Sequence, residues 1–318
     1  MQNILFITSN RIGDAVLSTG LLAHLLATYP KARFTIVCGP AAAGLFTGFP
    51  NLQKLIVLRK ERFARHWLRL WAQTVGTRWD VVVDLRRTAL SYFLWTCKRY
   101  IQPKAGDEHR SQSVAATMSL TPAPMPTLWP TAASRVNAEG LLPDGDMFIG
   151  LGATANWEGK RWRAENFAAV VNALRTERPQ LQKARIVIFG GPGEEHLITP
   201  ITQALGEEVL NLVGKIDLLT ARACIERCVL YVGNDTGITH VAATTGTPIV
   251  ALFGPSIAEH YAPVGKRVKI VKTTTPYAEL IGAPDYDHRT TGTLMDSIPL
   301  PDVVKACLML LDKGKSDK

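Results

Sequence analysis

Residues 230–256 read LYVGNDTGITHVAATTGTPIVALFGPS. An apolar run leads into Gly233-Asn234-Asp235-Thr236-Gly237, then small residues, then a second apolar run over 248–254. Strand, tight turn, short helix and strand make a βαβ unit, which requires a parallel sheet. Gly233 and Gly237 let the backbone turn, a helix is expected from about Ile238, and Gly246 with Pro248 ends it. Free N–H groups at that helix start suit an anion. Thr236 and His240 share one face if the helix includes Thr236, and could add a hydroxyl and an imidazole to a phosphate site. Asp235 would repel that phosphate, so it is expected to cap the helix or to accept sugar hydroxyl protons. An ordinary βα turn with a capping Asp remains the plain alternative.

Outward from this unit, apolar runs alternate with helical patterns along the whole chain. Strands are expected at 3–8, 33–38, 54–58 and 80–85, and again at 147–153, 184–191, 209–214, 229–235 and 248–254. Helices fall at Ala15–Tyr29 and Phe63–Gly76, then at 164–177, 194–205 and 217–227. The pattern predicts an α/β protein of two Rossmann-like domains, 1–145 and 146–318, with ligands at the carboxyl ends of the strands in the cleft between them. The Pro-rich stretch 119–135 reads as a loop or interdomain linker, and the tail 312–318 as frayed.

The 318 residues carry a formal charge of +9, unevenly spread. Residues 1–147 hold 17 Lys and Arg against 9 Asp and Glu, a balance of +8, while the rest hold 19 against 18. A basic half beside a neutral half predicts that one domain meets an anionic partner. The 5 cysteines form no CxxC pair and read as reduced thiols of a cytoplasmic protein. No apolar run is long enough to span a membrane and no signal segment opens the chain.

Three further loops carry candidate chemistry. ITSNRIGDAVLSTG (7–20) lacks the G-x-G-x-x-G fingerprint, which argues against a nicotinamide enzyme. Its Asp14 is either a helix N-cap, the usual use of Asp there, or a carboxylate able to deprotonate a hydroxyl. GATANWEGKRWRAENF (152–167) places Asn156 and Lys160 after a strand, where a lysine could neutralise a departing pyrophosphate or simply be solvated. FGGPGEEHL (189–197) offers Glu194 and Glu195 either to a ribose hydroxyl or to a helix N-terminus. Residues 54–110 hold 13 Lys and Arg against 5 Asp and Glu, interleaved with aromatics. Such a segment suits a phosphorylated, partly lipidic acceptor, or is a solvated helix face. The Asp-x-Asp of PDYDH (284–288) is not read as a metal site.

IGDAVLST, KRW, GGPGEE and GNDTGITHVAATTGTPIVALFGPS occur in an order that resembles glycosyltransferase family 9, the ADP-heptose:lipopolysaccharide heptosyltransferases and their relatives. The resemblance covers most of the chain. It implies a GT-B fold and inverting transfer with no metal and no cofactor. Asp14 then matches the catalytic base and Lys160 the lysine at the leaving diphosphate. Asn156, Thr236, Gly237, His240 and the acidic Asp235 match the donor site, and one of Glu194 and Glu195 a ribose contact. Arg62, Arg65 and Arg87 are the expected acceptor contacts. The implied partners are ADP-heptose, a lipopolysaccharide core or lipid A-linked acceptor and the inner membrane's cytoplasmic surface, with no nucleic acid. Many relatives have Pro where Arg163 follows Trp162. The rival readings are another nucleotide-sugar donor, a GT-B epimerase or hydrolase, and a non-catalytic anion-binding module.

Overall fold

Residues 3–7 are apolar after the first and form β1 (Asn3–Ile7), buried from Ile4 onward. The computed structural model describes all residues but 105, 207–208, 284–285 and 314–318. Most of the tail and Asp285 of the Asp-x-Asp pair therefore lie outside the described residues.

The chain divides into two compact units, Met1–Thr131 and Ala132–Lys318. In the first, β1 joins β2 (Arg33–Cys38), β3 (Leu52–Val57), β4 (Trp79–Asp84) and β5 (Thr96–Ile101) in a parallel sheet of order β3-β2-β1-β4-β5. Helices α1 (Ile12–Thr28), α2 (Arg65–Thr74) and α3 (Arg110–Ala116) follow β1, β3 and β5. Strand order reverses between β1 and β4, so their carboxyl ends, with Ile7 and Asp84 in register, flank the crevice where such sheets bind ligands. The strand β5 has no counterpart among the expected elements. It is an edge strand whose TCKRYI leaves Lys98 and Arg99 exposed, a charged edge that discourages further pairing.

The Pro-rich stretch is a loop, but up to residue 131 it is part of the first unit's core. Leu128 is buried, Trp129 meets Phe49 edge-on at 4.8 Å between ring centroids, and Thr127 N–H donates to Thr19 Oγ1 at 3.0 Å. A Cβ at Gly20 would lie 2.1 Å from the Pro124 carbonyl oxygen, so α1 needs glycine there to admit the loop's backbone. Gly20→Ala is expected to destabilise the protein by about 1–3 kcal/mol through overpacking. Thermal unfolding reads this as a fall of several degrees, and an unchanged melting temperature would refute the close approach.

The second unit opens with α4 (Ala132–Leu141), ahead of the expected boundary at 146, because α4 packs on the helix 218–226 and Ala138 and Leu142 enter the core. Then come β6 (Phe148–Gly152), α5 (Ala164–Glu177), β7 (Arg185–Ile188), α6 (Thr199–Leu205), β8 (Val209–Asn211) and α7 (Leu218–Glu226). The quoted stretch supplies β9 (Leu230–Asn234), α8 (Gly237–Ala243) and β10 (Ile249–Phe253). They are followed by α9 (Ala258–Tyr261), β11 (Val268–Lys272), α10 (Tyr277–Gly282) and α11 (Leu300–Lys313). The parallel sheet has order β11-β10-β9-β6-β7-β8, and its reversal falls between β6 and β9. Every residue of β6, β9 and β10 is buried, because helices cover both faces. At the reversal Gly152 pairs with Gly233, and a Cβ on Gly152 would stand 1.8 Å from Tyr231 Oη. Glycine there lets the fully buried Tyr231 reach Thr239, its hydroxyl 3.1 Å from Thr239 Oγ1. That bond ties β9 to α8 and fixes the turn between them.

Candidate active site

In the first unit, Asp14 lies in the opening turn of α1, directly after β1 and at the strand-order reversal. The N-cap is Arg11, so Asp14 is not the cap. Its carboxylate is partly exposed, accepts a 3.4 Å hydrogen bond from Ser9 Oγ and lies 3.7 Å from Arg110 Nε. Asp14 lines a cavity of about 440 Å³ with Arg11, Arg86, Arg87 and Arg110.

Several contacts hold these arginines in place. Gln102, its amide oriented to satisfy both ends, donates to the Leu85 carbonyl at 2.7 Å and accepts from Arg110 Nη1 at 3.1 Å. Arg86 Nη1 donates to Asn10 Oδ1 at 3.1 Å, and its guanidinium stacks 4.8 Å from the Trp67 ring centroid. Burial lowers the Arg86 pKa, and the nearby Asp84 charge opposes that shift. Asp84 itself is buried and accepts from the backbone N–H of Arg86 and from both the N–H and hydroxyl of Thr88, so its charge is spent on the turn after β4. Of the three expected acceptor contacts only Arg87 lines this cavity. Arg62 and Arg65 are exposed at the start of α2 and are not among its lining residues. Arg11, Arg86 and Arg110 line it beside Arg87. Nothing in their local sequence marks them, since Arg110 arrives from the far side of β5.

In the second unit, Lys160 ends a short 3-10 turn after β6, and Asp235 follows β9, so both sit at that sheet's reversal. Lys160 Nζ donates to Asp235 Oδ2, which also accepts from Ser256 Oγ at 2.6 Å. His240 Nε2 lies 3.9 Å from the other Asp235 oxygen. Asp235 is 7% exposed and Lys160 25%, so the pair is shielded on the acid's side and open on the lysine's. Asp235 therefore neither caps α8 nor faces water. The N-cap is Thr236, with extended backbone (φ −139°), so Thr236 stands outside the helix that holds Gly237 and His240. Its hydroxyl is buried and makes no hydrogen bond to the described residues. A buried hydroxyl costs free energy unless a partner satisfies it, which marks a place for a polar ligand atom.

The loop carrying Lys160 is pinned from both sides. Asn234 Nδ2 donates to the Ala153 carbonyl at 2.9 Å, and its Oδ1 accepts from Trp162 N–H at 3.2 Å. Arg163 makes a bidentate pair with Asp296, both contacts 2.6 Å. Thr293 Oγ1 donates to the Arg161 carbonyl at 2.5 Å. Asn234 and Ser256 were both within the quoted stretch, but their roles depend on contacts to distant loops. Asn156 is exposed in the bend before Lys160.

The two glutamates are occupied inside their own loop. Glu194 Oε2 accepts from Thr154 Oγ1 at 2.6 Å and from Gly191 N–H at 2.8 Å. Glu195 Oε1 accepts from Gly193 N–H at 3.2 Å. Backbone N–H groups, its own and that of Gly193, hold the Glu195 carboxyl below the usual range. The structure thus gives both acids loop-closing contacts at the carboxyl end of β7.

The described family "Glycosyltransferase family 9 (heptosyltransferase)" matches residues 67–283. The lipopolysaccharide heptosyltransferase 2 of Salmonella typhimurium is 25% identical over 316 residues, covering 87% of this chain and 89% of that protein. The lipooligosaccharide heptosyltransferase 2 of Haemophilus influenzae is 32% identical over 117 residues, covering 36% of this chain and 32% of that protein. The solved Escherichia coli ADP-heptose lps heptosyltransferase II superposes with a TM-score of 0.75 at 19% identity, covering 99% of this chain and all of that one. At that identity the superposition speaks for the GT-B fold. With a family match spanning more than half its length, the chain belongs to glycosyltransferase family 9 and is a glycosyl-transferring enzyme.

Proposed function

We propose that this protein is an inverting heptosyltransferase, moving a heptose from ADP-heptose onto a hydroxyl of the lipopolysaccharide core. The observation that carries the donor side is the Lys160–Asp235–Ser256 cluster beside the buried Thr236 hydroxyl at the β6/β9 reversal. A lysine held there offsets the negative charge that builds on the departing diphosphate. Asp14 takes the proton of the acceptor hydroxyl as its oxygen bonds to the anomeric carbon. The bond from that carbon to the diphosphate breaks on the opposite face, releasing ADP and inverting the centre. The arginines beside Asp14 draw in an anionic acceptor. Support for the sugar and acceptor comes from the family and from the names of the relatives.

Thermal unfolding with ADP, UDP, GDP, CDP and NAD, without added divalent metal, tests the donor. At about 100 times Kd, ADP should add about 2.7 kcal/mol and raise the melting temperature by a few degrees. Selectivity for UDP or GDP would overturn the ADP assignment, and stabilisation by none would overturn the donor site. Consumption of ADP-heptose at the same rate with and without a core acceptor would turn the reading to an epimerase or hydrolase.

A further inference from the structure

Lys160 ends a single turn of three residues, Glu158–Lys160. So short a turn has little stability of its own and keeps its shape through what it packs against. Trp157 is its N-cap, and the Trp157 carbonyl accepts from Lys160 N–H at 3.1 Å. Beyond Lys160 the chain is pinned, since Trp162 N–H donates to Asn234 Oδ1 and the Arg161 carbonyl accepts from Thr293 Oγ1. Before Lys160, Asn156 is exposed and Glu158 pairs with Arg161 at 3.2 Å, inside the turn's own reach. Among the described residues, that leaves Trp157 as the side chain tying the start of the turn to the rest of the unit.

It does so through a stack. The Trp157 and His288 rings lie 4.7 Å apart between centroids, 21° from parallel. The indole is also folded over Gly159, where a Cβ would stand 2.7 Å from Trp157 Cζ2. Its Nε1 is buried and makes no hydrogen bond to the described residues, so packing alone holds the ring. His288 is presented by a turn that closes on itself: Asp287 N–H donates to Thr291 Oγ1 at 2.9 Å, and Asp287 Oδ1 accepts from Arg289 N–H at 2.8 Å.

Residues 288–296 form a strap over both arms of the Lys160–Asp235–Ser256 cluster. On one arm, Leu294 N–H donates to the Gly159 carbonyl at 3.0 Å, next to Lys160. On the other, Gly254 stands two residues before Ser256, and a Cβ there would lie 2.5 Å from Met295 Sδ and 3.1 Å from the Leu294 carbonyl oxygen. Met295 is fully buried in the core cluster that also holds Trp162. The Arg163–Asp296 pair is exposed on both sides, so solvent screens it. Met295 therefore anchors the inner half of the strap, and His288 joins its outer half to the turn.

We infer that Trp157 and His288 are a positioning pair for Lys160. Stacked, they clamp the turn 158–160 to the strap and fix where the ammonium stands when the diphosphate departs. Both act through Lys160, and neither is a catalytic residue. An indole whose N–H is unused can be replaced by another ring but not by a small side chain. The clamp rests on the contacts of these two rings; its effect on turnover rests on the proposed function.

The test compares Trp157→Ala, Trp157→Phe, His288→Ala and the double variant Trp157→Ala, His288→Ala in the full chain. Trp157→Ala should lower kcat by about 10–100-fold, the scale on which misplacing a catalytic group by about 1 Å acts. KM for ADP-heptose should change less, because the contact of the lysine strengthens as charge builds on the leaving group. Trp157→Phe keeps a ring on His288 and should stay within about three-fold of the parent. His288→Ala should lower kcat on its own yet add almost nothing to Trp157→Ala, since the two rings act as one unit. Hydrogen exchange reads the clamp without any donor: Trp157→Ala should speed exchange at the Lys160 and Leu294 amides and leave α5 unchanged. Parent kcat in Trp157→Ala, equal losses in the Ala and Phe variants, or additive losses in the double variant would overturn the inference. So would exchange that quickens throughout the unit, which would make the stack a general brace. A parent chain that neither gains stability with ADP nor transfers heptose would sink the proposed function, and exchange at Lys160 and Leu294 then decides the clamp alone.

Discussion

Asp14→Asn is expected to lower the rate of glycosyl transfer by about 10²–10⁴-fold, the usual contribution of a positioned general base. Asn keeps the size of the side chain and can still accept from Ser9, so the change removes basicity and charge with little else. Asp14 is partly exposed in the first turn of α1, and its ion pair with Arg110 is long, at 3.7 Å. Loss of that pair should therefore cost less than about 1 kcal/mol of stability. Stabilisation by ADP, a property of the second unit under the proposed function, should be unchanged. Rates within a few-fold of the parent would remove Asp14 from the role of base. A large rate loss together with loss of ADP stabilisation would instead show the substitution acting through structure.

The interior strands are mostly apolar, and β1, β2, β4, β6, β9 and β10 all fall where their composition predicts. The two unforeseen strands, β5 and β11, are sheet edges, TCKRYI and VKIVK, in which lysine or arginine interrupts the apolar run. The stretch 119–131 reads as a linker from its prolines, yet Gly20 and Gly48 each bring a backbone carbonyl of that stretch within 2.1 Å of where a Cβ would stand. Composition cannot show such an approach; the glycines that permit it are the only local trace. At the candidate site, the placing of Asp14, Lys160 and Asp235 after strands is legible in the sequence, whereas the sheet reversals beside them appear only in the fold. Ser256, Asn234, Arg86 and Arg110 act through partners 21 or more residues away, or in a cavity closed by distant loops. Glu194 and Glu195, read either as a ribose contact or as acids at a helix N-terminus, make contacts within their own loop that local sequence does not reveal.

Lys160→Met is expected to weaken ADP stabilisation and to lower turnover by about 10²–10³-fold, the range for removing one preorganised group at a developing charge. It also leaves Asp235, 7% exposed, without its cation, though Ser256 Oγ still donates to it and His240 Nε2 stays 3.9 Å away. An acid with that partial support should cost about 1–3 kcal/mol when its partner goes. The melting temperature falls by several degrees for that reason alone, so stability and catalysis must be separated. The double variant Lys160→Met, Asp235→Asn does this, because a neutral amide in the turn no longer needs the ammonium. Most of the lost stability should return while turnover stays low, since no cation then faces the diphosphate. Recovery of turnover along with stability would show that Lys160 serves only to neutralise Asp235. If stability and turnover both stay low, Asp235 has a second duty in the turn, through Ser256, that an amide cannot perform.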